Sequence, residues 1–115
     1  MKHALFPLAE LPPGTMRAAS LGSISVVVVR TPDGDLHALR NVCSHMGAKL
    51  SDGIVHFASD AAPEGGYRLS DTFVISCPWH GFEFSVDNGR CLADERHRAR
   101  VYEVTVQDDV VMLER

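Results

Sequence analysis

Two short segments of this chain contain residues whose types and spacing suit metal binding. Cys43 and His45 form a Cys-x-His motif, and Cys77 and His80 form a Cys-x-x-His motif. Thiolate and imidazole ligands suit zinc or an iron–sulfur centre, whereas calcium and magnesium require oxygen ligands. The sequence therefore predicts a metal site built from these two segments.

The division of ligands between the segments narrows the kind of site. Structural zinc sites usually take two like ligands from each segment, but here each segment supplies one cysteine and one histidine. This split is what a 2Fe-2S cluster of mixed ligation needs, with both thiolates on one iron and both imidazoles on the other. Gly47 and Gly81 follow the two histidines, where a tightly folded chain needs a positive φ, and Pro78 fixes φ in the second segment. A Cys2His2 structural zinc module is the alternative.

Around these motifs the chain resembles the Rieske family, most closely over Asn41–Leu50 and Ser76–Leu92. The resemblance implies one 2Fe-2S cluster per chain, with the two cysteines on the inner iron and the two histidines on the outer iron, nearest to solvent. It also implies an all-β, Rieske-like domain of small antiparallel sheets with two cluster-binding loops at one tip. Met46 and Trp79 would then lie at the rim of the exposed imidazoles.

The length and composition of the chain indicate a single domain. Its 115 residues, of which 45% are hydrophobic, suffice for one core, so residues 1–115 are expected to form one domain with no second catalytic domain. The remaining histidines form no two-His-one-carboxylate set of the kind that binds catalytic mononuclear iron, and they are expected to face solvent. They are His3, His37, His56 and His97. The chain is therefore not predicted to be an enzyme on its own.

Charge and cysteine usage bear on partners and location. The formal net charge of −4 argues against nucleic acid and anionic membranes as partners and favours a basic protein partner. Residues 1–20 lack the apolar core of a secretion signal, and no segment approaches the roughly 20 apolar residues of a membrane helix. We expect a cytoplasmic location, which also suits unoxidised thiolates. Cys91, the third cysteine, is expected to be a small buried hydrophobe.

The strand signals recur at short intervals, as in an all-β domain, and no helix is predicted. A β-branched run at Ile24–Arg30 should turn at Asp33 and Gly34 and return at Leu36–Leu39. Strands are also expected at Phe73–Ser76 and Phe82–Val86. Near the C-terminus, Arg100–Val106 should pair through a turn at Asp108 and Asp109 with Val110–Glu114.

The distance between the two motifs is long for a compact member of the family. Thirty-one residues separate His45 from Cys77. The surplus is expected in Ile54–Asp71, because Ala58–Gly66 is rich in small and polar residues, and this segment is predicted to be a surface loop beside the cluster. Such a loop would either have no role or help a partner to dock.

These features favour electron transfer as the function. The chain offers no nucleophile or acid–base pair of its own, and an iron–sulfur centre moves one electron at a time. The resemblance implies a small ferredoxin that takes an electron from a flavin-dependent reductase and passes it to a terminal oxygenase. A redox-sensing or regulatory subunit of a larger enzyme is the other alternative.

The resemblance also implies a low reduction potential. High-potential relatives carry a serine and a tyrosine that donate hydrogen bonds near the cluster, together with a disulfide between the two loops. Here the hydroxyl positions hold Phe82 and Phe84, and the disulfide positions hold Ala48 and Trp79. The potential is therefore expected toward the low end of the Rieske range, which spans about −150 to +300 mV.

Overall fold

The computed structural model describes residues 1–43, 47–61, 64–78, 81–94 and 96–115. Across these ranges the chain is built of strands, and the helical elements there are two single 3-10 turns, at Leu8–Glu10 and Leu50–Asp52. The strands are β1 (Lys2–Pro7), β2 (Thr15–Leu21), β3 (Ile24–Arg30), β4 (Leu36–Arg40), β5 (Ile54–Ala61), β6 (Tyr67–Ser76), β7 (Glu83–Ser85), β8 (Val101–Tyr102), β9 (Val104–Gln107) and β10 (Val110–Glu114).

These strands form three small antiparallel sheets. Sheet 1 has the order β1-β10-β9, sheet 2 the order β2-β3-β4-β8, and sheet 3 the order β5-β6-β7. The prediction of an all-β fold made of small antiparallel sheets is confirmed. Sheets 2 and 3 lead directly into the two predicted ligand segments, because β4 ends three residues before Cys43 and β6 ends immediately before Cys77.

Strand β3 is buried on both faces, which explains its uninterrupted run of valines. Val27 and Val29 belong to a first core, shared with sheet 3 and with all three cysteines, whereas Val26 and Val28 belong to a second core, shared with sheet 1. All four valines have no exposed surface. Burying one such side chain contributes about 1.5–3 kcal/mol, so β3 is a strong anchor for both cores.

Several local predictions are confirmed. Strand β3 has the predicted bounds, and the turn after it contains Gly34 with φ of 99° and a hydrogen bond from the Gly34 N–H to the Thr31 carbonyl. Strand β10 also has its predicted bounds. The turn before it places Asp108 and Asp109 at φ of 53° and 62°, the left-handed pair that a two-residue hairpin turn requires.

The predicted surface loop at Ile54–Asp71 is wrong. This segment belongs mainly to an antiparallel hairpin of β5 and β6, joined across the short connection that contains Gly65 and Gly66. The hairpin is stabilised by aromatic packing, since the rings of Phe57 and Phe73 lie 5.0 Å apart in an edge-on arrangement. Small and polar residues near its tip concealed the strand pattern in the sequence.

The predicted strand Arg100–Val106 is divided in two. Its first part, β8, pairs with β4 in sheet 2, and its second part, β9, pairs with β10 in sheet 1. Glu103 lies at the break between them. The alternation of side chains continues across the break, so the pattern in the sequence does not reveal that the chain changes sheets there.

Candidate metal centre

The structure brings Cys43 and Cys77 into the same hydrophobic core. Each is 2% exposed or less, and both belong to the first core, together with Leu50 and Phe84. Cys91 is also a buried thiol in this core, as predicted for a small buried hydrophobe. Two thiols that start two separate loops therefore share one buried region.

The first ligand segment begins as a tight turn. The Cys43 N–H donates to the Ala48 carbonyl over 2.7 Å, and the Gly47 N–H donates to the Cys43 carbonyl over 2.8 Å. Gly47 has the predicted positive φ, 73°. Ser44, His45 and Met46 lie outside the described residues, so the ligand role of His45 stays a prediction.

The second ligand segment closes in a similar way. The Cys77 N–H donates to the Phe82 carbonyl over 2.8 Å, and Gly81 has a φ of 67°. A methyl group at Gly47 or Gly81 would meet no atom of the described residues within 4 Å, and the left-handed backbone favours glycine at these two positions. Trp79 and His80 lie outside the described residues, and the ligand role of His80 also stays a prediction.

A buried asparagine anchors the first segment to the sheets. The Asn41 side chain donates to the Ser51 hydroxyl and accepts from the Ser51 N–H, each over 2.8 Å, and its backbone N–H donates to the Ser25 carbonyl. Asn41 is 1% exposed. Asn41 was not predicted as a site residue; its polar side chain beside the Cys43 motif was the available signal.

The four histidines outside the motifs were expected to face solvent, and this expectation is corrected by the structure. One of them, His56, contacts the residue before Cys77. All four histidines outside the motifs are partly buried. His56 on β5 places Nε2 2.6 Å from the Ser76 hydroxyl and 3.4 Å from a Glu83 carboxylate oxygen, while Nδ1 lies 2.9 Å from the Phe57 carbonyl. Serine and glutamate approach the same ring nitrogen, so this group lacks the relay geometry of a hydrolytic triad.

The segment after Cys91 packs beside the second loop. The rings of Phe82 and His97 lie 6.4 Å apart, and the His97 Nε2 is 3.8 Å from Asp94. The Arg96 side chain donates to both Asp94 carboxylate oxygens, over 3.1 and 2.9 Å, and this hydrogen bonding lowers the pKa of Asp94 to about 2.

An open hollow borders the second segment. It is lined by Asp52, Gly53, Ile54, Ser76, Cys77, Pro78 and Gly81. Ile54, the first residue of β5, is 64% exposed there, which is unusual for a large aliphatic side chain. An apolar surface therefore lies directly beside a predicted ligand.

The donor chemistry of the described residues fits the cysteine half of a 2Fe-2S cluster. Cys43 and Cys77 supply thiol groups that are shielded from water, and each begins a loop that carries a left-handed glycine. Elsewhere in the described ranges, no group of three or more His, Cys, Asp or Glu residues is arranged to bind a metal.

Comparison with protein families gives a match over most of the chain. The model of the family described as the Rieske [2Fe-2S] domain matches residues 1–107.

Curated relatives include a ferredoxin of similar length and much longer proteins. The chain is 32% identical over 81 residues to cholesterol 7-desaturase nvd of Xenopus laevis, covering 70% of this chain but 15% of the desaturase. It is 27% identical over 108 residues to the ferredoxin component of the naphthalene 1,2-dioxygenase system of Pseudomonas aeruginosa, covering 93% of this chain and 88% of that protein.

Solved structures share the fold over nearly the full chain. A putative NADH-dependent nitrite reductase small subunit from Mycobacterium tuberculosis is 26% identical, with a TM-score of 0.80 and coverage of 100% of this chain and 95% of that one. The complex of reduced oxygenase and oxidized ferredoxin in carbazole 1,9a-dioxygenase contains a chain that is 26% identical, with a TM-score of 0.74 and coverage of 97% and 91%. Within the described residues, the structure contains no helix with the length and apolar character needed to cross a membrane.

Proposed function

This chain belongs to the Rieske [2Fe-2S] domain family, and we propose that it is a small electron carrier with a single cluster. In this proposal residues 1–115 form one domain, and four of its residues bind the cluster. The proposed ligands are Cys43, His45, Cys77 and His80. The observation that carries this proposal is the burial of two cysteine thiols, one from each motif, in one core. When bound, a cluster of this class takes up and releases one electron at a time.

The residues of the chain have distinct roles in this proposal. The two cysteines would hold one iron of the cluster, and the apolar side chains around them exclude water. The two histidines would hold the other iron, through which an electron would be exchanged with a partner. We therefore assign the chain the transport of electrons and no catalysis of its own.

We propose a flavin-dependent reductase as the electron donor and a terminal oxygenase as the acceptor. The similarity to the naphthalene dioxygenase ferredoxin supports this role, because it extends over 88% of that protein. The similarity to a chain in an oxygenase–ferredoxin complex is further support. The proposed location is the cytoplasm, which suits a thiolate-bound cluster.

A second candidate function is that of a small subunit in a larger reductase. It is favoured by the likeness to the putative nitrite reductase small subunit, which extends over the full length of this chain. The two candidates differ in the lifetime of their complexes: a ferredoxin binds its partners transiently, whereas a subunit stays bound. Gel filtration with a candidate catalytic subunit at micromolar concentration therefore separates them, since co-elution supports the subunit.

Chemical analysis of anaerobically purified protein tests the central proposal. We expect two irons and two acid-labile sulfides per chain, a red-brown colour, and bleaching on addition of dithionite. Stoichiometric zinc without labile sulfide, in protein made under iron-replete conditions, would show that the motifs form a structural zinc site instead.

A further inference from the structure

A side chain from a different strand binds one end of the second ligand segment and lies near its other end. Ser76 immediately precedes Cys77, and Glu83 immediately follows Phe82; Ser76 and Glu83 are register partners in sheet 3. This side chain is His56 on β5, whose Nε2 lies 2.6 Å from the Ser76 hydroxyl and 3.4 Å from a Glu83 carboxylate oxygen. The hydrogen bond between His56 and Ser76 is adjacent to the backbone hydrogen bond from the Cys77 N–H to the Phe82 carbonyl.

The orientation of the His56 ring is fixed by its other nitrogen. Nδ1 lies 2.9 Å from the Phe57 carbonyl, and a carbonyl can only accept, so Nδ1 carries the proton. In the neutral ring Nε2 then accepts from the Ser76 hydroxyl. The His56 side chain is 35% exposed, so this hydrogen bond is partly shielded from competing water.

We propose that His56 is a positioning residue for the cluster: by holding the Ser76 hydroxyl, it fixes the backbone from which the Cys77 thiolate extends. This inference rests on the proposed role of Cys77 as a ligand. Outer groups that orient metal ligands commonly change metal affinity 10–100-fold when removed, and cluster potentials respond to hydrogen bonding near the sulfurs. His56 would therefore influence both the retention and the potential of the cluster without contacting it.

The test compares His56→Ala, Ser76→Ala and the double variant, all purified with cluster. We measure the rate at which visible absorbance is lost in excess chelator, the midpoint potential and the g-values of the reduced cluster by electron paramagnetic resonance. Each single variant should lose its cluster about tenfold faster than wild type, near the low end of the effects of outer groups. The double variant should be no faster than either single variant, because both remove the same bond.

Matched variants separate positioning from general destabilisation. His56→Gln retains a polar group that reaches Ser76 and should restore slow cluster loss and wild-type g-values. Glu83→Gln should stay within about twofold of wild type, because a neutral Nε2 has no proton to donate to the carboxylate. His3→Ala removes another partly buried histidine, on β1 of sheet 1, and should leave all three readouts unchanged.

Contrary outcomes are distinguishable from failure of the proposed function. If wild type holds the cluster but His56→Ala keeps the wild-type loss rate, potential and g-values, His56 is not a positioning residue. Additive effects in the double variant, or no rescue by His56→Gln, would equally overturn the inference. If wild type itself contains no iron and sulfide, the proposed function fails, and the inference falls with it.

Discussion

At the scale of single residues, Cys43 and Cys77 are the best-defined part of the site. Both are buried thiols in one core, and burial protects a thiolate-bound cluster from solvent attack. His45 and His80 lie outside the described residues. Their assignment as ligands depends on the motif and is therefore the first residue-level prediction to test.

We expect His45→Ala and His80→Ala each to abolish the cluster or leave it labile. Either change opens a coordination position on the outer iron, where water and chelators can then attack. Visible absorbance and iron content after anaerobic purification measure the outcome. His37→Ala, which removes a partly buried histidine on β4, is the control and should keep full iron content. An unchanged spectrum in either motif variant would mean that the histidines are not ligands.

Phe84→Tyr should raise the reduction potential. Phe84 has no exposed surface and shares the first core with both motif cysteines, and the resemblance implies a tyrosine at this position in high-potential relatives. A hydroxyl that donates to a cysteine sulfur stabilises the reduced cluster; a net hydrogen bond of about 0.5–1.5 kcal/mol corresponds to roughly 20–65 mV for one electron.

Voltammetry of wild type and variant measures this difference. Phe73→Tyr adds the same hydroxyl to the same core on β6, four residues before Cys77, and should leave the potential nearly unchanged. Equal shifts in both variants would show that the effect of Phe84→Tyr does not come from a specific bond. A wild-type midpoint near +300 mV would contradict the expectation of a low potential.

At the scale of elements, strands with a strong apolar pattern of their own were predicted, and strands with few buried residues were not. β3 and β10 were correct because their apolar residues and turn residues identify them without tertiary information. β1 and β2 were not predicted: Phe6 is the one fully buried residue of β1, and β2 has none. Their pairing with β10 and β3 supplies the stabilisation that their sequences lack.

The hairpin of β5 and β6 depends on close backbone contact at Gly53. A methyl group there would lie 1.8 Å from the Ser76 carbonyl oxygen, so Gly53→Ala must displace the residue that precedes Cys77. We expect destabilisation by about 3 kcal/mol, at the upper end of common single-substitution effects, together with faster loss of cluster. Chemical denaturation and chelator kinetics measure the two effects.

Gly22→Ala is the matched control for this substitution. Gly22 has a positive φ of 63° but no neighbouring atom within 4 Å of a methyl group. Its substitution should cost about 1 kcal/mol of backbone strain, and the cluster should be lost at the wild-type rate. If Gly53→Ala is no more harmful than Gly22→Ala, the close contact with Ser76 does not constrain the second segment.

At the scale of the whole molecule, the sequence predicted the class of the fold and of the cofactor but not the assembly of the sheets. The paired motifs identify the family because four predicted ligands and two glycines occur within two short segments. The burial of β3 between two cores, and the tie from His56 to Ser76, join residues far apart in the chain. Such contacts leave little local pattern in a single sequence.

The stability of the molecule should decrease in acid. Hydrogen bonds lower the pKa values of Asp33 and Glu114, and that of Asp94 falls from 3.8 to about 2. A carboxyl whose pKa is lower in the folded state stabilises the fold above its unfolded pKa, and this contribution is lost as the pH falls through the folded pKa. Asp94→Asn should therefore flatten the decline in urea midpoint between about pH 4 and pH 2. A decline as steep as that of wild type would show that Asp94 does not contribute.

Electron exchange should depend on the surface beside the second segment and on ionic strength. The net charge of −4 favours a basic partner, so raising the salt from about 50 to 500 mM should slow reduction by the cognate reductase, with cluster content unchanged. Ile54→Ser should slow it as well, because Ile54 is 64% exposed at the hollow that contains Cys77, and Trp79→Ala should do the same.

Leu69→Ser gives this last prediction its control, because it removes an equally exposed aliphatic side chain from the same hairpin. Leu69 is 70% exposed on β6 and lies seven residues before Ser76, a separation of about 23 Å along an extended strand. Stopped-flow reduction should therefore be slowed several-fold by Ile54→Ser and left unchanged by Leu69→Ser. Equal rates for wild type, Ile54→Ser and Trp79→Ala would place the partner surface elsewhere on the molecule. Slowing by Leu69→Ser alone would move it to the far end of the hairpin, away from the cysteine that is proposed to hold the cluster.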